Sequence, residues 1–226
     1  MLARTQVLTF HGIGAPAVPV SADEKRYFVS QDTYRNTIGS LAALERRHDV
    51  RLEVTFDDGN LSDFTVGLPA LVEAGRSARF FVLAGRIGAE GYLTGEQMRQ
   101  IISAGSTIGC HGHDHVDWRK LDAAGLRREL HDARKKIEDA VGAPVREAAI
   151  PFGAFDRHVL HRLREAGYAR VYSSTSGFAY DKAWFCPRWS VTDTFDPDRD
   201  VGPRLGTGQK VRSSVYALAR RFRYRI

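Results

Sequence analysis

Apolar and polar residues along this chain follow two rhythms. Short runs of apolar and β-branched residues at 6–10, 51–56, 78–83, 107–110, 148–150 and 168–173 read as strands. Between them the apolar positions recur at intervals of three and four. Ile38, Leu41 and Leu44 predict a helix over 33–44, and 68–74 reads as a helix stopped by Gly75. Thr94 with Gln97 three residues on has the form of a capping box. Leu126, Leu130, Ile137 and Val141 mark one face of a helix over 121–141 that Gly142 closes, and a last helix over 155–166 ends at Gly167. Strand and helix alternate, which predicts an α/β protein with a largely parallel sheet. In such folds the carboxyl ends of the strands share one face, and that face holds the site.

Polar residues gather where the strands end. The strand over 51–56 runs into Asp57, Asp58 and Gly59. Two adjacent carboxylates are costly to bury unless a cation accompanies them. Read alone, the same three residues are first of all an ordinary Asp-Asp-Gly turn. The strand over 107–110 runs into His111, Gly112, His113, Asp114 and His115. On a helical turn the spacing of four would set His111 and His115 on one side, ready for one metal ion. The alternative is a solvated polar loop. Together the two units offer an oxygen and two nitrogens, a common ligand set for a catalytic zinc with an open position. The spare carboxylate would then serve as a base toward water.

With these residues in view, the chain resembles the polysaccharide deacetylase family, the NodB-like carbohydrate esterases. Residues 55–59 (Thr-Phe-Asp-Asp-Gly) resemble its first motif, the His-x-x-x-His of 111–115 its second, and 149–153 (Ala-Ile-Pro-Phe-Gly) its third. Residues 7–11 resemble the opening strand of many members, and 186–191, with Pro187 and Arg188, a late segment of one branch. The resemblance implies an α/β fold, an incomplete or distorted (β/α) barrel of the NodB-homology type. It implies that Asp58, His111 and His115 hold a divalent metal, zinc first, with cobalt, nickel or manganese sharing the ligand types. It implies Asp57 as the catalytic base and the backbone N–H around Phe152 as the donor to the oxyanion. The implied activity is metal-dependent removal of an acetyl group from an N-acetylated sugar in a polysaccharide, oligosaccharide or lipid-linked glycan. An O-acetyl esterase, or a catalytically weak sugar-binding protein on the same fold, is the alternative.

Three departures from the family pattern change the expectations. Ala149 stands where many relatives carry an Arg that holds the catalytic Asp. Arg188 is the expected substitute, since a guanidinium clamps a carboxylate with two bonds; otherwise it is a surface Arg. Gly112 stands where Ser or Thr is usual. No Leu-x-His motif occurs near the carboxyl end. His11 is the expected general acid in its place, set against a purely structural role, and His113 is a weaker candidate. Trp118, Trp184, Phe185 and Trp189 are candidates to line a sugar site, with core packing as the alternative. Cys110 is expected to point away from the metal and fill core.

Composition adds little to this picture except at the end of the chain. The 226 residues, 43% of them apolar, suit one full core, and the two cysteines are too few for a disulfide scaffold. The amino-terminal apolar run is too short for a secretory signal, and no run approaches the roughly 20 apolar residues of a membrane span. The expectation is a cytoplasmic protein. The net charge is +6, and six basic residues with no acidic one lie between Lys210 and Arg225. The expected division is a catalytic domain at 1–202 and a basic tail or helix at 203–226. Val211, Val215, Leu218, Ala219 and Phe222 fall on one side of a helix drawn from Ser213, which suits either an anionic membrane surface or packing on the barrel. No nucleic-acid recognition module is present, so nucleic acid is not an expected partner.

Overall fold

The computed structural model describes residues 4–180, 183–205 and 224, the side chain of Arg204 excepted. After β1 (Arg4–Phe10) the chain makes a long excursion through α1 (Ala22–Lys25) into α2 (Gln31–His48). The sequence then alternates through β2 (Arg51–Phe56), α3 (Leu68–Glu73), β3 (Arg79–Val82), α4 (Gly95–Ser103) and β4 (Thr107–Cys110). α5 (Ala123–Arg127) and α6 (Ala133–Val141) lead to β5 (Glu147–Ala149), α7 (Arg157–Glu165) and β6 (Arg170–Ser173). The short strands β7 (Ala179–Tyr180), β8 (Phe185–Pro187) and β9 (Trp189–Ser190) precede α8 (Pro197–Leu205).

The strands run in the order β7-β1-β2-β3-β4-β5-β6-β8. β1 to β6 and β8 are joined by parallel pairings, as alternating strands and helices require. Arg188 is the bend that closes the ring. On one side of it β8 pairs with β6, and on the other β9 pairs with β1. β7 lies antiparallel on the first residues of β1. The result is a nearly closed, incompletely sealed barrel, the (β/α) architecture expected from the sequence.

Strand alternation sorts the side chains into two layers. Val7, Phe81, Ala149, Tyr172, Ala179 and Cys186 form a small cluster of their own. Their strand neighbours Leu8, Phe80, Ala148 and Val171 join the larger core with the helices, as do Val54 of β2 and Ile108 of β4. Cys110 belongs to that larger core, as expected. Phe56 and Phe80 stack there at 4.6 Å, and Tyr34 of α2 meets Phe10 edge-on at 5.0 Å. Each such ring contributes roughly 1.5–3 kcal/mol by leaving water, which fixes the strand register that carries the site.

Two expectations change in detail. The single helix expected over 121–141 is broken into α5 and α6 by one π turn, Arg128–Asp132. Another π turn, Asp63–Gly67, precedes α3. The basic tail beyond Leu205 lies outside the described residues, apart from Tyr224, whose ring packs on Phe155 at 5.1 Å. The helix drawn from Ser213 is therefore not described. No helix among the described residues is long and apolar enough to cross a membrane.

Candidate metal centre

The carboxyl ends of β1, β2, β4 and the segment after β5 deliver the polar residues to one cavity of about 290 Å³. His11, Asp57, Asp58, His111, His115 and Phe152 all line it. Asp57 continues β2, its N–H donating to Phe10 O at 2.9 Å, and is buried. Strand alternation would send Asp58 the opposite way. A left-handed backbone at Asp58, φ 73°, turns it back toward the same cavity.

The two candidate ligand histidines converge by a different route from the one the sequence suggested. No helix forms over 111–115. His111 extends β4, and its N–H donates to Val82 O at 2.9 Å. The loop then turns at Gly112, φ 91°, and at His115, φ 55°, bringing the His115 ring within 5.3 Å of His111. The helical spacing was thus the wrong physical reason for a correct juxtaposition. Two left-handed residues in a loop bring the rings together, with no helical i,i+4 face involved.

Asp58 Oδ1 lies 3.6 Å from His111 Nε2 and 3.5 Å from His115 Nε2. Ligands held tetrahedrally on zinc are about 3.3–3.6 Å apart, given bond lengths near 2.0–2.2 Å. One ligand atom from each of Asp58, His111 and His115 lies within 4.8 Å of the others. His111 Nδ1–H donates to Ala149 O at 2.9 Å, which leaves the Nε2 lone pair facing the cavity. Burial pushes the His111 imidazole down to about 3, and burial followed by the Arg86 charge lowers His115. Both rings are therefore neutral near pH 7, as ligands must be. Asp58 Oδ1 is buried with no hydrogen-bond partner among the described residues. Burial raises its carboxyl to about 6, His11 opposing and Asp57 adding to the rise. An orphaned carboxylate beside two neutral imidazoles is a donor set that a divalent cation completes.

Asp57 is held quite differently. Arg188 is buried, and its Nη1 and Nη2 lie 2.6 Å from Asp57 Oδ1 and Oδ2 respectively. Nη1 also donates to Thr55 Oγ1 at 3.1 Å. The guanidinium stands over the Phe81 and Tyr172 rings at 5.3 and 5.8 Å. Burial alone would raise the Asp57 carboxyl, but Arg188 and then His111 outweigh it and hold the group well below the usual carboxylate range. The surface alternative for Arg188 is excluded by its burial.

His11 follows β1, with Nε2 3.8 Å from Asp57 Oδ2 and its ring 5.0 Å from Tyr27. Its carbonyl accepts from Asn60 Nδ2 at 2.6 Å, and its Nδ1 is buried without a partner among the described residues. Burial lowers its pKa, while Asp57 and Asp58 draw it back up. Phe152 has φ 57°, and its exposed ring lies tilted against His115, the centroids 4.5 Å apart. His113 points elsewhere, its Nδ1 2.5 Å from Asp114 Oδ1.

The tryptophans expected beside a sugar are mostly elsewhere. Trp118 is wholly buried and donates to Glu129. Trp184 lies under Arg164 at 4.0 Å, and Phe185 packs on Phe155 at 5.0 Å. Trp189 lines an adjoining groove. Tyr27, Phe28 and Tyr92 line the cavity in their place.

Two buried carboxyls escaped the sequence reading. Asp63 has both oxygens unpartnered among the described residues, and burial followed by Asp58 raises its carboxyl well above the usual range. Glu129 accepts three hydrogen bonds behind the His loop. Its signal was present, because it stands between Leu126 and Ala133 on the apolar face of the helix.

Fold and site thus define a (β/α) barrel with a candidate metal centre at its carboxyl mouth. The polysaccharide deacetylase family profile matches residues 45–171, more than half of the chain, and the chain belongs to that family. The chitooligosaccharide deacetylase of Rhizobium leguminosarum bv. trifolii is 28% identical over 127 residues, 56% of this chain and 57% of that one. YxkH of Bacillus subtilis is 26% identical over 126 residues, 56% of this chain and 45% of that one. The matched stretch therefore spans about half the length of these relatives. Among solved structures, the Bacillus cereus polysaccharide deacetylase BC0361 superposes with a TM-score of 0.76 at 20% identity, covering 91% of this chain and 70% of that one. The Streptococcus pyogenes deacetylase PplD does so with 0.75 at 17% identity, covering 89% and 98%.

Proposed function

We propose that the protein is a metal-dependent hydrolase that removes the acetyl group from an N-acetylated sugar of a glycan. One observation carries this reading. A metal-ligand triad, Asp58, His111 and His115, shares a cavity with a carboxylate, Asp57, that Arg188 keeps ionised. Family membership and the names of the relatives support the substrate class.

Asp58, His111 and His115 would hold the ion, with zinc favoured by two imidazoles and one carboxylate. When bound, the ion supplies Lewis acidity that polarises a carbonyl and acidifies water. Asp57 accepts the proton of the attacking water. Its low basicity is offset by position, since it borders the cavity and cannot turn away from the Arg188 clamp. The Phe152 N–H, aimed by the left-handed backbone there, donates to the developing oxyanion. His11 delivers a proton to the leaving amine. The geometry that supports this last role is its place beside Asp57 on the cavity wall.

One observation favours a second reading, cleavage of an O-acetyl ester. Burial disfavours the protonated form of His11, and an alkoxide needs less help in leaving than an amine. An anionic membrane surface is a proposed further partner, supported by the six basic residues between Lys210 and Arg225. The test of the main reading is acetate release from N-acetylglucosamine oligomers and from acetylated xylan, with chelator and with zinc restored. Release from the amide substrate that chelator abolishes and zinc restores is the expected result. Release unaffected by chelator defeats the reading, and release from xylan alone selects the ester.

A further inference from the structure

The loop that carries His115 has no regular secondary structure, yet it must hold its imidazole against Asp58 and His111. Its backbone N–H groups have no strand or helix to pair with. Glu129 supplies the pairing. Its Oε2 accepts from the N–H of His113 at 2.8 Å and from the indole Nε1–H of Trp118 at 3.2 Å. Its Oε1 accepts from the N–H of Asp114 at 3.2 Å. Glu129 is buried, and so is Trp118.

The π turn explains how a Glu reaches this place. The turn at Arg128–Asp132 adds one residue to a helical circuit, and Glu129 and Leu130 are both buried within it. Arg128, on the same turn, grips the loop from outside, its Nη2 lying 2.9 Å from Asp114 Oδ2 and 3.2 Å from His113 Nδ1. Residues 113 and 114 are thus held from both sides. Gly112 completes the arrangement. A Cβ there would stand 2.3 Å from Glu129 Oε2, and φ is 91°, so the glycine and the carboxylate need each other. This gives a physical reason for Gly112 in this chain.

We infer that Glu129 is a positioning residue for the metal centre: its carboxylate fixes the loop at 113–115 so that His115 meets Asp58 and His111. The inference rests on the proposal that Asp58, His111 and His115 hold a metal ion. It requires a carboxylate specifically. Three N–H donors converge on two oxygens, so a carboxamide turns an NH2 against at least one of them.

The test measures Zn2+ affinity by competition with a chromogenic chelator, on the full chain, well below the melting temperature. Glu129→Gln weakens Zn2+ binding about 10–100-fold, the usual effect of losing a partner behind a ligand. It also shifts the visible spectrum of the Co2+ form, because His115 is displaced. Arg76→Ala is the stability control. It cuts the 2.6 Å pair with Glu45, away from the centre, and lowers the melting temperature while leaving Zn2+ affinity unchanged. A Glu129→Gln protein with wild-type affinity overturns the inference, as does an affinity loss that Arg76→Ala reproduces. Should Glu129→Gln fail to fold, Gly112→Ala carries the test. It crowds the carboxylate, so reduced affinity is expected and unchanged affinity overturns the inference. A wild-type protein that binds no Zn2+ removes the proposed metal centre itself, and this inference with it.

Discussion

Arg188→Met isolates the contribution of the clamp on Asp57. The substitution keeps a long buried side chain and removes only the charge and its donors. In the native fold both Nη atoms lie 2.6 Å from the Asp57 oxygens, and both partners are buried. Breaking such a pair typically costs ~3–5 kcal/mol, because one charge is left buried without a counter-ion. The loss depends on pH, and its sign follows from the shifts. In the wild type, burial raises Asp57 but Arg188 and His111 together lower it well below its ordinary value. That lowered folded pKa contributes stability above the unfolded pKa, about 3.9, which fades only as pH falls through the folded value.

In the variant the balance reverses. His111 is itself neutral near pH 7, since burial holds it down to about 3, so it gives no charge to replace Arg188. Burial then dominates, and the folded pKa of Asp57 rises above the unfolded one. The variant loses stability as pH climbs from about 4 to its new folded pKa. The deficit relative to wild type therefore widens between pH 5 and pH 8, approaching ~3–5 kcal/mol. Urea denaturation of chelator-treated proteins at pH 5, 6.5 and 8 measures it. In the metal-loaded proteins the acidic limb of the acetate-release profile moves to higher pH, because the base now holds its proton. A deficit constant across that pH range, with an unmoved acidic limb, refutes the view that Arg188 keeps Asp57 ionised.

Asp57→Asn retains metal but lowers kcat/KM ~10²–10⁴-fold, the usual worth of a positioned base; near-normal turnover at full metal content removes that role. His111→Ala combined with His115→Ala abolishes stoichiometric metal by elemental analysis, and a double variant that still carries one ion per chain shows the ligands lie elsewhere. A version ending at Gly208 sediments less with anionic vesicles than the full chain does, at about 1 kcal/mol per basic residue lost from the surface. Equal sedimentation of the two forms excludes a membrane role for the tail.

The alternation of strands and helices was legible because it rests on burial, and burial writes itself into apolar spacing. Leu126, Leu130, Ile137 and Val141 are all buried, as their spacing predicts. The π turn among them was not legible. Its added residue leaves Leu130 on the same apolar face, so the pattern looks continuous. The tryptophans misled for a related reason. An indole is as useful to a core as to a sugar, and Trp118 supplies a buried donor to Glu129. The residues lining the cavity include Tyr27 and Phe28, from the excursion between β1 and α2. That segment carries little periodic signal, so its course is set by contacts with distant residues such as Ser62, whose Oγ accepts from the Ile13 N–H at 3.0 Å.

The site depends most on what sequence patterns express least. Outside glycine, positive φ occurs among the described residues at Asp49, Asp58, His115 and Phe152. Asp49 caps α2, where a left-handed residue is ordinary. The other three stand at the cavity, one per motif. Each costs roughly 1–3 kcal/mol of backbone strain, and glycine would avoid it. Glycine has no side chain to offer, however, and the roles proposed for Asp58 and His115 need a carboxylate and an imidazole. The neighbouring glycines show how the strain is contained. Gly59 packs its backbone against Val82, where a Cβ would come within 3.1 Å. Gly153 lies against the N–H of Ser174, where a Cβ would come within 2.8 Å. Glycine thus stands beside each strained residue of the first and third motifs and lets the chain approach its neighbours closely. In the second motif Gly112 does this against Glu129. The three short motifs are therefore read best as three strained turns, each setting a group proposed for the chemistry, a carboxylate, an imidazole or a backbone N–H, near a glycine that the packing requires.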